Sequence, residues 1–127
     1  MRTDVSIRKT IRGPLPRIPF EKIAADILGA RYELSLVVCG DRLAQKMNTR
    51  YRKKDYVPNV LSFGLSKYEG EIFLNIRKAA REARQYGVPV LSRAALLFVH
   101  GCFHLKGHRH GDKMEGLERS VLRRYGF

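Results

Sequence analysis

An apolar segment, AALLFV (residues 94–99), is the feature that most constrains how this chain can fold. It is apolar on every side at helical spacing, and a helix of that kind is buried by its neighbours all round. The same helix continues into His100 and His104, which are four residues apart and would therefore share one face, with Cβ atoms roughly 5–6 Å apart. The core is predicted to contain a helix that carries two adjacent imidazoles.

The segments around this helix predict a small mixed sheet. Apolar, β-branched or alternating patterns predict strands over residues 3–11, 33–39, 59–65 and 71–74. Helical spacing predicts helices over residues 20–30, from 40–41 to about 53, over 75–87, from about 92 through 104, and from 112 onward. We therefore expect an α+β fold in one domain, residues 1–127, with a small mixed β-sheet packed with helices and the histidine-bearing helix in the core.

Local sequence signals predict where some helices begin, where a hairpin turns and which side chains face the core. Asp41 and Asp112 are predicted helix N-caps, and Gly70 is predicted to form the turn of a hairpin. Tyr51 is predicted to lie on the inward face of its helix together with three apolar residues. In the last helix, Glu115 and Arg119 are four residues apart, a spacing that favours an ion pair.

All four histidines of the chain lie within residues 100–110. Gly107 is expected to end the helix, so the returning chain can bring a third imidazole nitrogen back to His100 and His104. Three histidines leave a tetrahedral metal ion one open position, which is typical of a catalytic site rather than a structural one. The alternative is a hydrogen-bonded histidine pair in the core. Cys102, on the other side of the helix, is predicted to be a small core residue.

The net charge of +13, from 25 Lys and Arg against 12 Asp and Glu, favours a polyanionic partner, most often nucleic acid. The alternative is a basic protein whose charge serves solubility alone. No apolar run approaches about 18 residues and the first residues lack an apolar leader segment, so neither a membrane partner nor export is expected. Two cysteines are compatible with a reducing compartment, and a cytoplasmic location is predicted.

Two blocks of the sequence resemble the YbeY family of ribosomal-RNA maturation factors. HGCFHLKGHRH (100–110) is similar to the family motif HGxLHLxGYDH, and YRKKDYVPNVLSFGL (51–65) is similar to YRxKDxPTNVLSFP. GEIFLN (70–75) falls where the family has a GDI strand. The resemblance extends over nearly the whole chain. It implies a single-strand-specific, zinc-dependent endoribonuclease that acts in ribosome quality control and in maturation of the 3′ end of small-subunit 16S rRNA.

The resemblance also implies site residues. The family's zinc ligands fall on His100, His104 and His110, so one zinc ion per chain is expected. The family's active-site arginine falls on Arg52, which would neutralise charge on phosphoryl oxygens as a bidentate donor. Bound zinc would lower the pKa of a water molecule to about 7 for attack on a phosphate.

Three of the chain's departures from the family pattern bear on the fold or the site. His108 replaces an aromatic residue, Gly64 replaces a proline, and Arg109 replaces the aspartate that precedes the third predicted ligand. Carboxylates beside metal-bound imidazoles orient and strengthen them, and losing one typically lowers metal affinity about 10–100-fold. Arg109 therefore predicts weaker metal binding than the family pattern implies.

A basic run lies next to the predicted NVLSF strand. Its residues Arg50, Lys53 and Lys54 are predicted to bind the RNA backbone, although a charge run is often only a solvated face. The expected partners are single-stranded RNA, including ribosomal RNA, and the ribosome or components of small-subunit assembly. The sequence does not specify the oligomeric state.

Other functions are compatible with parts of the pattern. A zinc-stabilised, ribosome-associated or RNA-binding assembly factor without turnover fits the charge and the histidines equally well, and Arg109 favours it. A metalloprotease is less favoured, because Gly101 stands where the HExxH motif has its general base. Three imidazoles also suit nickel, copper or iron. Asp55 and Asp112 are interpreted as turn and cap residues, so no general base is assigned.

Overall fold

The computed structural model describes residues 3–127; residues 1 and 2, part of the predicted domain, lie outside this range. The elements in chain order are β1 (Asp4–Lys9), α1 (Phe20–Leu28), β2 (Glu33–Cys39), α2 (Asp41–Arg52), β3 (Val60–Ser66), β4 (Glu69–Asn75), α3 (Ile76–Tyr86), α4 (Val90–Lys106) and α5 (Asp112–Arg124). No helix within residues 3–127 is long and apolar enough to cross a membrane.

The four strands form one mixed sheet in the order β1-β2-β4-β3. β1 runs parallel to β2, and β2 runs parallel to β4, while β3 pairs antiparallel with β4 at the edge. Helices pack on this sheet, so the predicted α+β class with a small mixed sheet is confirmed. The strand predicted over residues 3–11 is shorter than expected and covers Asp4–Lys9.

Alternation along the central strands divides the core into two parts. Leu36 of β2 and Ile72 of β4 face the larger part, which α1, α3, α4 and α5 complete. Val37 and Phe73 face the other side, where α2 covers a smaller cluster. Phe98 and Val99 of α4 are fully buried in the larger part, as the apolar segment predicts. α4 packs on β3 and β4, so the helix that carries His100 and His104 rests directly on the sheet.

The hairpin between β3 and β4 turns at residues 67–68 and not at Gly70, so that prediction is wrong. Gly70 lies inside β4, paired with Leu34 of β2 and with Gly64 of β3. A Cβ atom at Gly70 would lie 2.9 Å from Leu105 Cδ2 and would also collide with the Tyr32 hydroxyl. The glycine is required by close packing on the sheet, a need that its sequence neighbours do not reveal.

The predicted N-caps are also displaced by one residue. Asp41 and Asp112 are the first helical residues of α2 and α5, and the N-cap positions are Gly40 and Gly111. An aspartate in the first turn still favours the helix, because its charge opposes the positive end of the helix dipole. The carboxylate of Asp41 accepts hydrogen bonds of 2.9 Å from Arg81 and from the side-chain amide of Asn75.

Tyr51 is not on the inward face of α2 as predicted. Its side chain is 57% exposed. Its ring packs edge-on against Phe63 at the margin of the core, with ring centroids 5.7 Å apart. It occupies the last turn of a helix whose buried residues are Ala44 and Asn48, so the inward face of α2 is narrower than the spacing indicates. Cys102 is fully buried, as expected, and burial raises the pKa of its thiol well above the usual range.

Candidate active-site cleft

Gly101 sets how closely α4 approaches the sheet beside His100. A Cβ atom on Gly101 would lie 2.9 Å from Ser62 Oγ and 3.2 Å from Ile72 Cδ1, which leaves no room for a side chain. The Ser62 hydroxyl donates a hydrogen bond of 3.1 Å to the Gly101 carbonyl and fixes the helix to β3 at this point. The glutamate of an HExxH peptidase would not fit here unless α4 moved away from the sheet. The packing around Gly101 therefore disfavours a metalloprotease on steric grounds.

Gly107 turns the chain back toward the two histidines. Its φ of +104° lies in the left-handed region, which favours glycine, and it ends α4 where the sequence predicts. The His108 amide then donates a hydrogen bond of 3.0 Å to the Phe103 carbonyl, which closes the end of the helix. After this turn the ring of His110 comes to 5.6 Å from the ring of His100, measured between centroids.

The imidazole rings of His100 and His104 are each oriented by a hydrogen-bond partner at Nδ1. His100 Nδ1 lies 2.6 Å from a carboxylate oxygen of Glu118, and His104 Nδ1 lies 3.2 Å from the carbonyl oxygen of His108. Both partners are acceptors, so each Nδ1 carries a proton, and a ring in its neutral form then has its lone pair on Nε2. Glu118 is 6% exposed, so this contact is nearly removed from solvent.

The two Nε2 atoms then face each other at 2.9 Å. At that distance the two nitrogens can share a proton as an N–H···N hydrogen bond or, when both rings are neutral, bind one metal ion together. Burial and the neighbouring His100 ring lower the pKa of His104, which favours the neutral form that ligates metals. The donor atoms of this pair therefore suit a metal ion bound through imidazole.

His110 is close to this pair but is exposed and does not converge with it. Its Nε2 lies 3.9 Å from Glu115 Oε1, and its side chain is 70% exposed. Across residues 3–127, no group of three or more His, Cys, Asp or Glu side chains is arranged to hold a metal ion. His100 and His104 thus form a converging pair, and His110 as third ligand remains a prediction.

The histidines lie in a cleft of about 920 Å³. β3 forms one wall, and side chains of α4 and α5 form the others. Three arginines also line the cleft: Arg52, Arg93 and Arg119. Arg93 is neutralised by Glu82 at 3.0 Å, in a pair whose side chains are mostly buried. A cleft with cations and converging imidazoles is suited to an anionic substrate.

Of the four predicted basic residues, Arg52 alone is among the residues that line the cleft. Its Nη1 atom lies within 3.4 Å of both Asn48 Oδ1 and the Tyr56 hydroxyl. The other three, Arg50, Lys53 and Lys54, are exposed on the last turn of α2 and the loop that follows it.

Comparison with known proteins identifies the family. The model of the family described as Endoribonuclease YbeY matches residues 7–126. The chain belongs to the YbeY family. This confirms the family that the two sequence blocks indicate.

Individual YbeY proteins agree with this assignment. A protein of Bordetella petrii named Endoribonuclease YbeY is 39% identical over 103 residues, covering 73% of this chain and 66% of the relative. One of Pelotomaculum thermopropionicum with the same name is 31% identical over 131 residues, covering 94% and 84%. This chain spans just under two thirds of the Bordetella petrii protein.

A solved structure agrees at the level of the fold. The solution structure of TM1509 from Thermotoga maritima matches with a TM-score of 0.67 at 18% identity, covering 95% of this chain and 90% of the other. At that identity the likeness concerns the fold alone.

The residue that the sequence reasoning missed in this YbeY chain is Glu118. It lies on the inward face of α5 between Met114 and Val121, both buried. A carboxylate on an otherwise apolar helix face is a signal in itself, because a buried acid needs a partner. The predicted partner of Arg119, Glu115, instead faces His110. Glu118 lies outside both the histidine segment and the basic run, so neither pattern points to it.

Proposed function

We propose that this chain is a zinc-dependent endoribonuclease that hydrolyses phosphodiester bonds in single-stranded RNA. The observation that carries the proposal is the pair of Nε2 atoms that converge to 2.9 Å in a cleft shared with Arg52. The relatives bear the name Endoribonuclease YbeY, which supports RNA as the substrate.

His100, His104 and His110 would hold the zinc ion. The ion would supply Lewis acidity toward a phosphate oxygen and would lower the pKa of a water molecule to about 7. Glu118 accepts a hydrogen bond from Nδ1–H of His100 and so keeps the Nε2 atom available as a metal ligand. The carbonyl oxygen of His108 does the same for His104, and this role needs no acidic residue at position 109.

Arg52 is proposed to neutralise the phosphoryl oxygens of the scissile phosphate. Its guanidinium is positioned by a hydrogen bond of 3.4 Å to the buried amide of Asn48, so less ordering is needed when the phosphate binds. Arg50, Lys53 and Lys54 are proposed to contact phosphates outside the cleft. Their charge would supply the part of the affinity that depends on salt.

The proposed setting is the cytoplasm, with residues 1–127 acting as one domain. The proposed substrate is the 3′ end of small-subunit 16S rRNA, and the proposed partners are the ribosome and small-subunit assembly components. The proposed role includes ribosome quality control. The net charge of +13 supports an RNA partner of this kind.

Replacing His110 by Ala tests the proposal against an assembly factor that binds RNA without turnover. His110 is 70% exposed, so we expect the melting temperature of the metal-free protein to stay near that of the wild type while cleavage of single-stranded RNA is lost. The matched control is His108→Ala, a histidine of the same loop that offers only its carbonyl oxygen to the site. It should retain cleavage.

The opposite outcome favours the second function. If wild-type protein binds zinc and RNA but cleaves neither single-stranded nor duplex RNA, and if His110→Ala unfolds, the zinc ion is structural. Turnover of a peptide panel by the wild type would revive the metalloprotease despite the packing around Gly101.

A further inference from the structure

We propose that Tyr56 is a nucleobase-stacking residue at the mouth of the cleft, where its ring holds the base of a nucleotide whose phosphate lies at Arg52. The inference rests on the proposed function, since it concerns how the same cleft takes hold of single-stranded RNA. In the family block YRxKDxPTNVLSFP, Tyr56 occupies a position with no specified residue. The contact is therefore a property of this chain and not of the motif.

The ring of Tyr56 is both exposed and adjacent to the cleft. Its side chain is 52% exposed, and its hydroxyl lies 3.4 Å from Nη1 of Arg52, which lines the cleft. Tyr51, the nearest other exposed tyrosine in the chain, is already engaged: Phe63 meets its ring edge-on at 5.7 Å, and the Arg50 guanidinium lies 5.6 Å from its centroid. The ring of Tyr56 is the more accessible of the two.

The loop that carries Tyr56 is held in place before any ligand arrives. Three side chains of α2 donate hydrogen bonds to three consecutive carbonyls: Thr49 to Lys54 at 3.0 Å, Gln45 to Asp55 at 2.8 Å, and Asn48 to Tyr56 at 3.0 Å. Asn48 is fully buried. A ring fixed through its own backbone loses little freedom when a base stacks on it, so more of the stacking energy appears as affinity.

The surroundings of the ring fit a single-stranded nucleic acid. The neighbouring side chains Arg52, Lys53 and Lys54 are cationic, and a half-exposed aromatic ring among cations is the combination that binds single strands through phosphate contacts and base stacking. Bases of a duplex are stacked on one another and are not available to such a ring. Stacking on Tyr56 would therefore contribute to selection of single-stranded over duplex RNA.

The test compares binding of two labelled oligomers by fluorescence anisotropy. One is oligouridine with phosphorothioate linkages, which resist hydrolysis, and the other has the same backbone with abasic residues. Removing a stacked ring typically weakens binding about 5- to 150-fold. We expect Tyr56→Ala to weaken binding of oligouridine by a factor in that range and to leave binding of the abasic oligomer unchanged.

Two further variants isolate the ring. Tyr56→Phe keeps the ring and loses only the hydroxyl contact to Arg52, so it should bind oligouridine nearly as tightly as the wild type. Tyr68→Ala is the matched control, because Tyr68 is 43% exposed beside Lys67 in the β3–β4 turn and does not line the cleft. It should bind both oligomers like the wild type.

The outcomes separate this inference from the proposed function. Two results would refute stacking and leave the proposed function standing, provided that the wild type binds oligouridine. In the first, Tyr56→Ala binds oligouridine as tightly as the wild type. In the second, Tyr56→Ala loses as much affinity for the abasic oligomer as for oligouridine. If the wild type binds neither oligomer, both the inference and the RNA substrate are refuted.

Discussion

Replacing Glu118 by Gln removes a negative charge from beside His100 with almost no change in shape. The wild-type contact is 2.6 Å long and Glu118 is 6% exposed, so solvent screens it little. A hydrogen bond to a charged group contributes about 1.5–3 kcal/mol, and losing a carboxylate beside a metal-bound imidazole typically lowers affinity about 10–100-fold. A 10–100-fold loss of affinity corresponds to about 1.4–2.8 kcal/mol, which agrees with the free energy of the hydrogen bond. We expect the zinc dissociation constant of Glu118→Gln to rise about 10–100-fold.

The assay is competition for zinc against a chromophoric chelator, with urea unfolding of the metal-free proteins to show that the variant is folded. Glu115→Gln is the matched control on the same helix. Its carboxylate is 51% exposed and 3.9 Å from His110, and an exposed pair of that kind contributes at most about 1 kcal/mol, or about fivefold. A Glu118→Gln variant that is folded and binds zinc as tightly as the wild type would refute the role given to this carboxylate.

Three further predictions concern packing, pH and salt. Gly101→Ala should lower the free energy of unfolding by about 1–3 kcal/mol in urea, since its Cβ meets Ser62 Oγ at 2.9 Å; an unchanged midpoint would contradict the close packing of α4. Asp41→Asn should lower that free energy by about 0.2–1 kcal/mol at neutral pH, because both partners are largely exposed. Hydrogen bonds from Arg81 lower the pKa of Asp41 from its usual value of 3.8. The difference in unfolding free energy between wild type and variant is therefore complete above pH 3.8 and disappears as the pH falls through the lowered pKa. A difference that persists in strong acid would refute this cause. If RNA contacts about six phosphates, log affinity should fall with log salt at a slope near −4, and a flat response would refute the role of the positive charge.

The sequence predicts the elements of the fold well because periodic burial leaves a local pattern. The strand over residues 33–39 and the burial of the apolar segment of α4 agree with the structure. Spacing of four residues likewise brings the rings of His100 and His104 to 4.4 Å between centroids. These features depend on neighbours within one turn or one strand.

The features that the sequence did not predict depend on contacts between distant residues. Gly70 is a glycine because Leu105, 35 positions later, packs against it, and a local reading places a turn there instead. Glu118 reaches His100 across the contact between α5 and α4, and the prediction of weaker metal binding from Arg109 takes no account of this carboxylate. Tyr51 is exposed because α2 rests on the sheet through a narrow face. Each of these features depends on how helices and strands pack against one another, and the spacing of residues along the chain carries no information on that packing.

We propose above all that the histidine pair holds a metal ion used to cleave single-stranded RNA. The most direct measurement is the metal content of the purified protein, followed by cleavage of single-stranded against duplex RNA before and after chelation and after zinc is restored. We predict close to one zinc ion per chain, cleavage of the single strand only, loss of cleavage with chelator, and recovery with zinc. Cleavage that persists in metal-free protein, or a metal-loaded protein that cleaves no RNA, would contradict the account.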